Sequence, residues 1–442
     1  MISLFKIFGG TALAGLIITI LVQVWQKENQ QNLLIQFFRN MIGSLFIFSG
    51  FIKAIDPLGT SYKMGEYFTS FASDLPFMAG FFDMLHEWAT PFAVFMIVVE
   101  IVCGICLILG VKSKITTWAI AAMMIFFTVL TGYTTMSGFV PNGTSFFSFG
   151  EWGEWREVNM RVTDCGCFGD FLKLKPQVSF GKDLVLLPIA ILLLFGVKKI
   201  KPLLSKYVGY GIVGFSKVAF LLFCLSNFVW GLPMVDFRPY KIGNNIPSQR
   251  IAERDAVVEF LFVYRNIETG EEVKLTMDEL TGFDYDTHEY VDRVEDVIDA
   301  GIPAKIANFN AYDEEGLDVS EEILSNPDFS FWVLTKKLSA TDKDAWEDLN
   351  EINDFTETFN YEMFAFMASD FPTAEEFRHE VQAAYPFYQA DETFIKTVIR
   401  ANPGLVLLKD GYVYGKWHHN DIPSFQEMEE YIDNLSWEGS DE

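Results

Sequence analysis

The chain has 442 residues, enough for two or three folding units. Half of it is apolar, yet it carries 59 acidic residues, a combination that does not suit one globular domain. Residues 1–250 hold 20 Lys+Arg and 14 Asp+Glu, whereas residues 251–442 hold 13 and 45. The first part therefore has the apolar, mildly basic composition of a membrane region. The second has a strongly negative field, which argues against binding nucleic acid or an anionic membrane surface.

Six stretches in the first part are apolar and long enough to span a bilayer core, which takes roughly 20 residues of α-helix. They are Ser3–Trp25, Leu34–Ile55, Trp88–Gly110, Ile115–Thr135, Lys182–Val197 and Gly211–Leu232. No cleavage-site pattern follows the first stretch, so we expect it to be retained. The sequence predicts an integral membrane protein with about six transmembrane helices, surrounded by membrane lipid.

Positive charges cluster in two of the connections between these helices. Lys112 and Lys114 lie in the tight turn after the third helix, and Lys27 lies after the first. Four more follow the fifth helix: Lys198, Lys199, Lys201 and Lys206. Positively charged loops stay cytoplasmic. We therefore predict a multi-pass protein of the cell inner membrane, with everything after Val235 in the periplasm.

The acidic part begins with a predicted linker, Asp236–Arg250, and continues with apolar runs that alternate with helical patterns. The predicted strands are Ala256–Tyr264, Glu272–Thr276, Asp328–Leu334, Tyr361–Ala368, Leu405–Leu408 and Tyr412–Trp417. The predicted helices are Thr341–Thr358, Thr373–Ala384, Thr393–Arg400 and Ser424–Leu435. From Asn326 to Leu435 this order is that of a thioredoxin fold.

Two strand pairings follow from that order. Asp328–Leu334 and Tyr361–Ala368 are separated by a helix, so they should pair in parallel. Asp410-Gly411 is a two-residue hairpin signal, so the last two strands should be antiparallel.

The pair Cys165 and Cys167, in the loop before the fifth helix, is the feature that most suggests chemistry. Two thiols separated by one glycine can form a small, strained disulfide, which is more easily reduced than a relaxed one. The acidic and basic residues that flank the pair act in opposite directions on a thiol pKa. Three interpretations stay open: thiol–disulfide exchange, a static clip of the loop, and half of a metal site.

Cys103 and Cys106 form a Cys-x-x-Cys inside the third apolar helix, where positions i and i+3 share a face. They are a second candidate redox pair. The alternative is that they pack one helix against another as small side chains.

Glu100 is an ionisable residue near the middle of the same helix. Such residues face the helix bundle, and we expect Glu100 to pair with Arg39 of the second helix. The pair would be either a buried structural ion pair or part of a small-molecule pathway. Lys53 and Asp56, at the end of the second helix, should pair at the membrane interface.

His418 and His419 are adjacent in the last predicted strand, so their side chains should point to opposite faces. They are poor co-ligands, and we interpret both as surface residues. No metal site is predicted.

Several stretches together resemble a known group of membrane proteins. Gly43–Lys63 and Glu100–Gly110 are similar to helices of the DoxX family, and Asp164–Asp183 to the Cys-x-Cys-Phe-Gly region of its MauE (methylamine utilisation) branch. Leu232–Gly243 and Asn402–Pro423 resemble a Bacteroidota version in which this membrane core precedes a thioredoxin-like domain.

The resemblance implies an architecture as well as a function. Residues 33–200 would form a DoxX/MauE-like four-helix core, after an additional helix in residues 1–32 and before an anchoring helix in residues 201–235. Residues 236–325 would be a linker and a mixed, β-rich segment, and residues 326–442 the thioredoxin-like domain. MauE-type proteins are linked to disulfide formation in a periplasmic partner, which would make Cys165 and Cys167 the exchange pair.

The thioredoxin-like domain departs from a working thioredoxin. The place of its Cys-x-x-Cys reads Thr335-Lys336-Lys337-Leu338 and holds no sulfur. In thioredoxin-like folds a cis proline usually precedes the third strand, so we predict a cis Asn402–Pro403 bond. We expect a domain without a redox centre that binds or positions another protein.

Two functional hypotheses follow. In the first, the protein is a redox-accessory membrane protein, a thiol-disulfide oxidoreductase if catalytic, that serves a periplasmic client. No cofactor is required, although a quinone would serve as its electron acceptor. In the second, it is a non-catalytic scaffold of an envelope complex in which the cysteine pair clips a loop.

Overall fold

The computed structural model describes residues 4–25, 32–255, 257–299, 301–307 and 309–438. The chain forms two compact units, Met1–Phe237 and Arg238–Glu442. Lys27, on which part of the topology prediction depends, and Ala256, the first residue of a predicted strand, lie outside the described residues.

The first unit is helical. Its helices are α1 (Leu4–Trp25), α2 (Leu33–Ile55), α3 (Pro57–Asp74), α4 (Ala79–Glu87), α5 (Ala89–Leu109), α6 (Ser113–Ser137), α7 (Pro176–Phe195) and α8 (Lys206–Ser226). All of these except α3 and α4 are long and apolar enough to cross a membrane, which confirms the prediction of about six spans. Two spans differ most from their predicted bounds: α8 is shifted towards the N-terminus, from Gly211–Leu232 to Lys206–Ser226, and α7 begins at Pro176 rather than Lys182. A proline is well placed in a first helical turn because the amide hydrogen it lacks would have no partner there.

Helices α2 and α5 form the centre of this unit. Within their apolar stretches 61% and 56% of the residues are buried, against 22–44% in the other spans. The two backbones approach closely, since a Cβ added to Gly104 would lie 2.7 Å from the carbonyl oxygen of Gly43. Small residues at the contact permit this approach, as is usual between membrane helices.

The second unit contains both strands and helices. Before the central sheet come α9 (Ile246–Gln249), β1 (Val257–Asn266), β2 (Glu272–Leu275), β3 (His288–Asp299), β4 (Ala311–Tyr312) and α10 (Ser320–Leu324). The remainder comprises β5 (Phe329–Thr335), α11 (Ala345–Phe359), β6 (Glu362–Met367), α12 (Phe371–Glu380), β7 (Phe387–Ala390), α13 (Glu392–Val398), β8 (Gly404–Lys409), β9 (Tyr412–His418) and α14 (Phe425–Glu438). The strands form two sheets with the orders β2-β1-β3 and β4-β7-β6-β5-β8-β9.

The six-stranded sheet has the topology of a thioredoxin fold. Strand β5 pairs in parallel with β6 and antiparallel with β8, and β9 returns antiparallel to β8. Both predicted pairings are therefore confirmed. Strand β7 was not predicted; it is four residues long and extends the sheet in parallel beside β6. Helices cover both faces: Trp346 and Ile352 of α11 and Met428 of α14 pack in one core cluster, and Phe394 of α13 packs against Phe366 of the sheet.

The hairpin and the proline also have the predicted form. Asp410 and Gly411 have φ of 49° and 72°, the left-handed pair that a tight two-residue hairpin needs. The Asn402–Pro403 peptide bond is cis.

Part of the predicted linker is ordered against this hairpin. The Gly243 amide donates to the carbonyl of Val413 at 2.8 Å, and the Val413 amide donates to the carbonyl of Asn244 at 3.0 Å. The Ile246 amide donates to the carbonyl of Gly411 at 2.8 Å. The segment therefore continues the sheet edge for a few residues instead of being a free connection.

Candidate functional site

Two polar segments meet at one end of the helical unit: α3–α4 and the loop of residues 138–175. The Asp74 carboxylate joins them, because it accepts hydrogen bonds from the Tyr133 hydroxyl (2.5 Å) and the Phe146 amide (2.9 Å) and pairs with Arg161 (3.3 Å). Asp74 is only 3% exposed. The segment that links α2 to α5 and the loop that links α6 to α7 are thus in direct contact.

The loop places Cys165 and Cys167 against the ends of α2 and α7. The Ser49 hydroxyl donates to the backbone carbonyl of Cys167 at 3.0 Å, and the Cys167 Sγ lies 4.0 Å from the Ser179 Oγ. Gly166 between them has φ of 58°, a conformation that other residues rarely adopt. Both cysteines are free thiols in this structure.

The two thiols differ in their surroundings. Cys165 is buried, and burial raises its pKa to about 12, with a smaller contribution from Cys167 in the same direction. Burial also raises the pKa of the nearby Tyr67 hydroxyl well above its usual value, and the Cys165 thiolate would raise it further. Cys167 is half-buried. Near neutral pH, Cys165 is therefore protonated, and Cys167 is the more accessible sulfur.

Both thiols line a cavity of about 270 Å³ inside the helical unit. This volume is close to the lower end of the range for small-molecule pockets, roughly 300 Å³. Most of the wall is aromatic or aliphatic. It comes from the helices α2, α3, α5, α6 and α7 and from the cysteine loop, and it includes Phe46, Phe68, Phe92, Phe127, Phe168 and Met96. An apolar pocket with a few charged groups is a typical small-molecule site.

Four of the five charged residues of the cavity lining form two ion pairs, and the fifth, Lys63, pairs with Glu66 and Asp164. Lys53 of α2 donates to Glu100 of α5 at 2.8 Å, with both side chains almost fully buried. Lys182 and Asp183 of α7 form the second pair, and the Thr131 hydroxyl donates to Asp183 at 3.0 Å. Both ion pairs and both thiols line the same cavity.

Glu100 faces the bundle as predicted, but the prediction that Arg39 is its partner was wrong. Arg39 lies at the other end of α2, where it donates to the backbone carbonyls of Lys201 (3.0 Å) and Ile108 (2.7 Å). The expected interface pair of Lys53 and Asp56 was also wrong, because Lys53 turns inward to Glu100. The Asp56 side chain instead accepts from the Gly59 amide and caps α3.

Cys103 and Cys106 do not line this cavity. Both are buried, Cys103 among apolar side chains that include Ile42 and Leu107, and Cys106 beside Val111 and Val213. The packing alternative accounts for these surroundings, and a redox role for this pair stays a prediction.

In the second unit, Asn402, which precedes the cis proline, holds the loop in which a thioredoxin presents its cysteines. Its side-chain oxygen accepts from the Lys336 amide (2.9 Å) and the Thr335 hydroxyl (3.1 Å), and its amide donates to the Lys337 carbonyl (3.1 Å). The loop after β5 is therefore fixed by an amide side chain, and it presents no thiol.

The prediction that His418 and His419 are surface residues on opposite faces was wrong. His418 is 1% exposed, and the two rings stack with centroids 3.9 Å apart. They lie at the end of β9, where the alternation of side chains stops. His419 is half-buried near Asp342, and burial lowers its pKa.

Sequence reasoning missed Asp74, Lys182 and Asp183 as site residues. The last two were placed at the start of the fifth span, where charges are unremarkable. The signal was Pro176, which marks an earlier helix start and moves both charges one and a half turns into α7. Within the described residues, no group of three or more His, Cys, Asp or Glu could hold a metal ion.

The comparisons with known proteins concern the two units separately. Residues 31–142 match the family model described as Methylamine utilisation protein MauE. The match confirms the predicted resemblance to MauE over α2–α6, which includes Lys53 and Glu100, and it ends before Cys165. The match is to MauE and does not test the predicted resemblance to the DoxX family. No curated protein matches the chain.

Solved structures similar to the chain are thiol-redox proteins. The C-terminal domain of a protein described as a thiol-disulfide oxidoreductase from Bacteroides thetaiotaomicron is 12% identical over 30% of this chain and 93% of its own, with a TM-score of 0.25. A thiol peroxidase from Chromobacterium violaceum is 14% identical over 30% of this chain and 85% of its own, with a TM-score of 0.24. StoA from Bacillus subtilis is 14% identical over 28% and 95%, with a TM-score of 0.23. At such scores the assignment of a thioredoxin-like fold rests on the strand order. The chain is a multi-pass membrane protein with a MauE-like segment and a thioredoxin-like domain.

Proposed function

We propose that this protein exchanges disulfides between the Cys165–Cys167 pair and an extracytoplasmic client protein. The observation that carries the proposal is the position of two free thiols on one cavity, one buried and one accessible. The thiolate is the nucleophile in thiol–disulfide exchange.

The exposure of the two sulfurs assigns their roles. Cys167 is the more accessible, so it exchanges with the client, and the buried Cys165 resolves the mixed disulfide. In the oxidising direction, a client thiolate attacks the Cys165–Cys167 disulfide at Cys167 and releases Cys165, which takes up a proton. The second client thiol then attacks the client sulfur of this mixed disulfide. The client disulfide forms, and Cys167 is released as a thiolate. Two electrons pass from the client to the pair.

We propose a quinone as the acceptor of these electrons. Closing the Cys165–Cys167 disulfide releases two electrons and two protons, which a quinone accepts when it is bound. The residues present fit such a group, because the aromatic rings of Phe46, Phe127 and Phe168 line the cavity together with the Lys53 ammonium. Adding decyl-ubiquinone to the purified reduced protein should remove two alkylatable thiols. No loss of thiols would remove the quinone from the proposal and leave the exchange step to its own test.

The thioredoxin-like domain, in this proposal, binds the client in the periplasm without taking part in electron transfer. Its loop after β5 has no sulfur, and Asn402 holds that loop in place. The strongly negative charge of residues 251–442 favours a client with a basic surface.

The exchange step is tested by trapping. In the reverse direction the Cys167 thiolate attacks a client disulfide, and Cys165 then attacks Cys167 and releases the reduced client. A Cys165→Ser variant cannot take this second step, so with an oxidised client it should accumulate the client linked to Cys167, visible as a band that is lost on reduction. Cys224→Ser is the matched control, since Cys224 is buried in α8 and does not line the cavity.

A scaffold function predicts different behaviour. The loop Thr335–Leu338 of the soluble domain has no thiol, and this favours a scaffold function for that domain. It does not bear on the cysteine pair of the helical unit. If the pair is a clip, alkylation of intact cells should find Cys165 and Cys167 oxidised under all growth conditions, and Cys165→Ser should trap nothing. That result would exclude exchange.

A further inference from the structure

The last span, α8, carries a lysine that none of the described residues neutralises. Lys217 is exposed, and within the described residues it has no ion pair and no hydrogen bond. Its electrostatic neighbours are the thiols of Cys103 and Cys106, which are not counter-ions near neutral pH. Lys53 and Lys182, the lysines of spans α2 and α7, each have a carboxylate partner.

Lys217 lies at the depth of the bilayer centre. It is 11 residues from the first residue of α8 and nine from the last, so the nearer helix end is roughly 14 Å away at 1.5 Å per residue. The four-carbon stem of lysine is too short to carry the ammonium over that distance to the interface. A charged side chain at this depth normally faces a partner.

The lysine lies in a groove on the outer surface of the helical unit. The groove, about 740 Å³, runs between α5 and α8 and is lined by apolar residues such as Val98, Val102, Leu221 and Phe228, together with Cys103. Lys217 is the charged residue of its lining. Helix α8 is also the least covered span, with 22% of its apolar stretch buried.

We propose that this groove binds a transmembrane helix of another protein, and that this helix carries an Asp or Glu that pairs with Lys217. Charge complementarity selects the occupant: the groove is mostly apolar and Lys217 is the one charged residue of its lining, so its ligand is an apolar helix with one carboxylate at that depth. Residues at i and i+4 face the same side, so Leu221 would pack beside the pair.

A second copy of this chain does not meet the requirement. The carboxylates within the described spans are Glu100 and Asp183, and both are buried and paired inside the bundle. A symmetric contact through α8 would place two Lys217 side chains opposite each other, where like charges repel. The partner is therefore a different protein.

The groove is tested with a photo-reactive amino acid, p-benzoylphenylalanine, in place of Leu221 in the full-length protein in its native membrane. Phe215, on α8 but outside the groove lining and 76% exposed, is the matched control position. Position 221 should give a protein crosslink and position 215 should not. The crosslinked peptide, sequenced by mass spectrometry, should come from a transmembrane segment that contains Asp or Glu.

Charge variants then separate pairing from apolar packing. Lys217→Met should reduce the crosslink at position 221 at least tenfold, whereas Lys217→Arg should retain it. Lys217→Glu should abolish it, and Lys replacing the partner's carboxylate should restore it. Lys217→Met removes an exposed charge without opening a cavity, so it should fold; alkylation of Cys167 at the wild-type rate checks this. Crosslinks to lipid only, a partner segment without a carboxylate, or an unchanged yield in Lys217→Met would each overturn the proposal.

Discussion

The Lys53–Glu100 pair offers the sharpest test of the helical packing. The Nζ and Oε2 atoms are 2.8 Å apart and the side chains are 7% and 6% exposed. Their mutual attraction is about 6 kcal/mol at an effective dielectric constant of about 20, before the cost of desolvating both charges. Removing one partner leaves the other charge buried and alone, which costs about 3–5 kcal/mol. We expect losses of that size for Glu100→Met and for Lys53→Met.

The double variant Lys53→Met with Glu100→Met should be much less destabilised than the sum of the two. Two apolar side chains of similar volume replace the pair, and buried ion pairs are often matched or exceeded by such replacements. The free energy of unfolding is measured in detergent by denaturant titration of the full-length protein, in a double-mutant cycle. A coupling energy below about 1 kcal/mol would contradict the view that the two charges depend on each other.

The same variants separate stability from function. In the proposed mechanism, the quinone that accepts the electrons binds beside the charged residues of the cavity. The double variant should therefore be stable, but its two alkylatable thiols should disappear more slowly after quinone is added. A stable double variant that loses its thiols at the wild-type rate would show that the Lys53–Glu100 pair stabilises the fold and has no part in electron transfer.

Three further outcomes are expected. Gly104→Ala should destabilise the helical unit by about 1–3 kcal/mol, because the new Cβ would lie 2.7 Å from a carbonyl oxygen of the facing helix; Gly181→Ala, where nothing lies within 4 Å, should be neutral or better in the same unfolding measurement. Asp74→Ala should cost on the order of 3 kcal/mol and expose the loop of residues 138–175 to limited proteolysis, whereas Asp83→Ala, at an exposed position, should not. Burial raises the pKa of Cys165 to about 12, and only the thiolate reacts with an alkylating agent. The rate of Cys165 alkylation in the folded protein should therefore rise about tenfold per pH unit throughout the range below pH 12. A rate that levels off near pH 9 would contradict the burial of this thiol.

The thioredoxin-like domain could be predicted because its strands are strongly marked. In β5 all seven residues are buried, and correspondingly five of the seven are apolar, four of them consecutive in Phe331–Leu334. Strand β3 could not be predicted in the same way. Its valines, Val291, Val294 and Val297, recur every third residue, a spacing closer to a helix than to the alternation of a strand. Its conformation follows from pairing with β1 over ten residue positions, a non-local interaction that no local pattern contains.

The membrane spans could be located from composition, but their mutual rotation could not. Helices such as α5 are apolar on all sides, so their sequences mark no preferred face. The ionisable residues are then the remaining markers, and each has several candidate partners. Lys182 and Lys217 lie on similar apolar helices, yet one is paired inside the bundle and the other is exposed.

The choice of partner for Glu100 shows what is missing. Depth can be counted at 1.5 Å per residue from the last residue of α2 and the first residue of α5, the two ends that α3 and α4 connect. On this count Glu100 lies at a depth of about 17 Å, Arg39 at about 24 Å and Lys53 at about 3 Å. Arg39 is therefore nearer in depth to Glu100 than Lys53 is. The real register is set by backbone contacts: Gly43 meets Gly104, and seven residues later a Cβ on Gly50 would meet Ile101. These contacts define an antiparallel register that brings the residues after Gly50 towards Glu100. The register depends on where two helices can approach most closely, and this is why the partner was identified only in the folded structure.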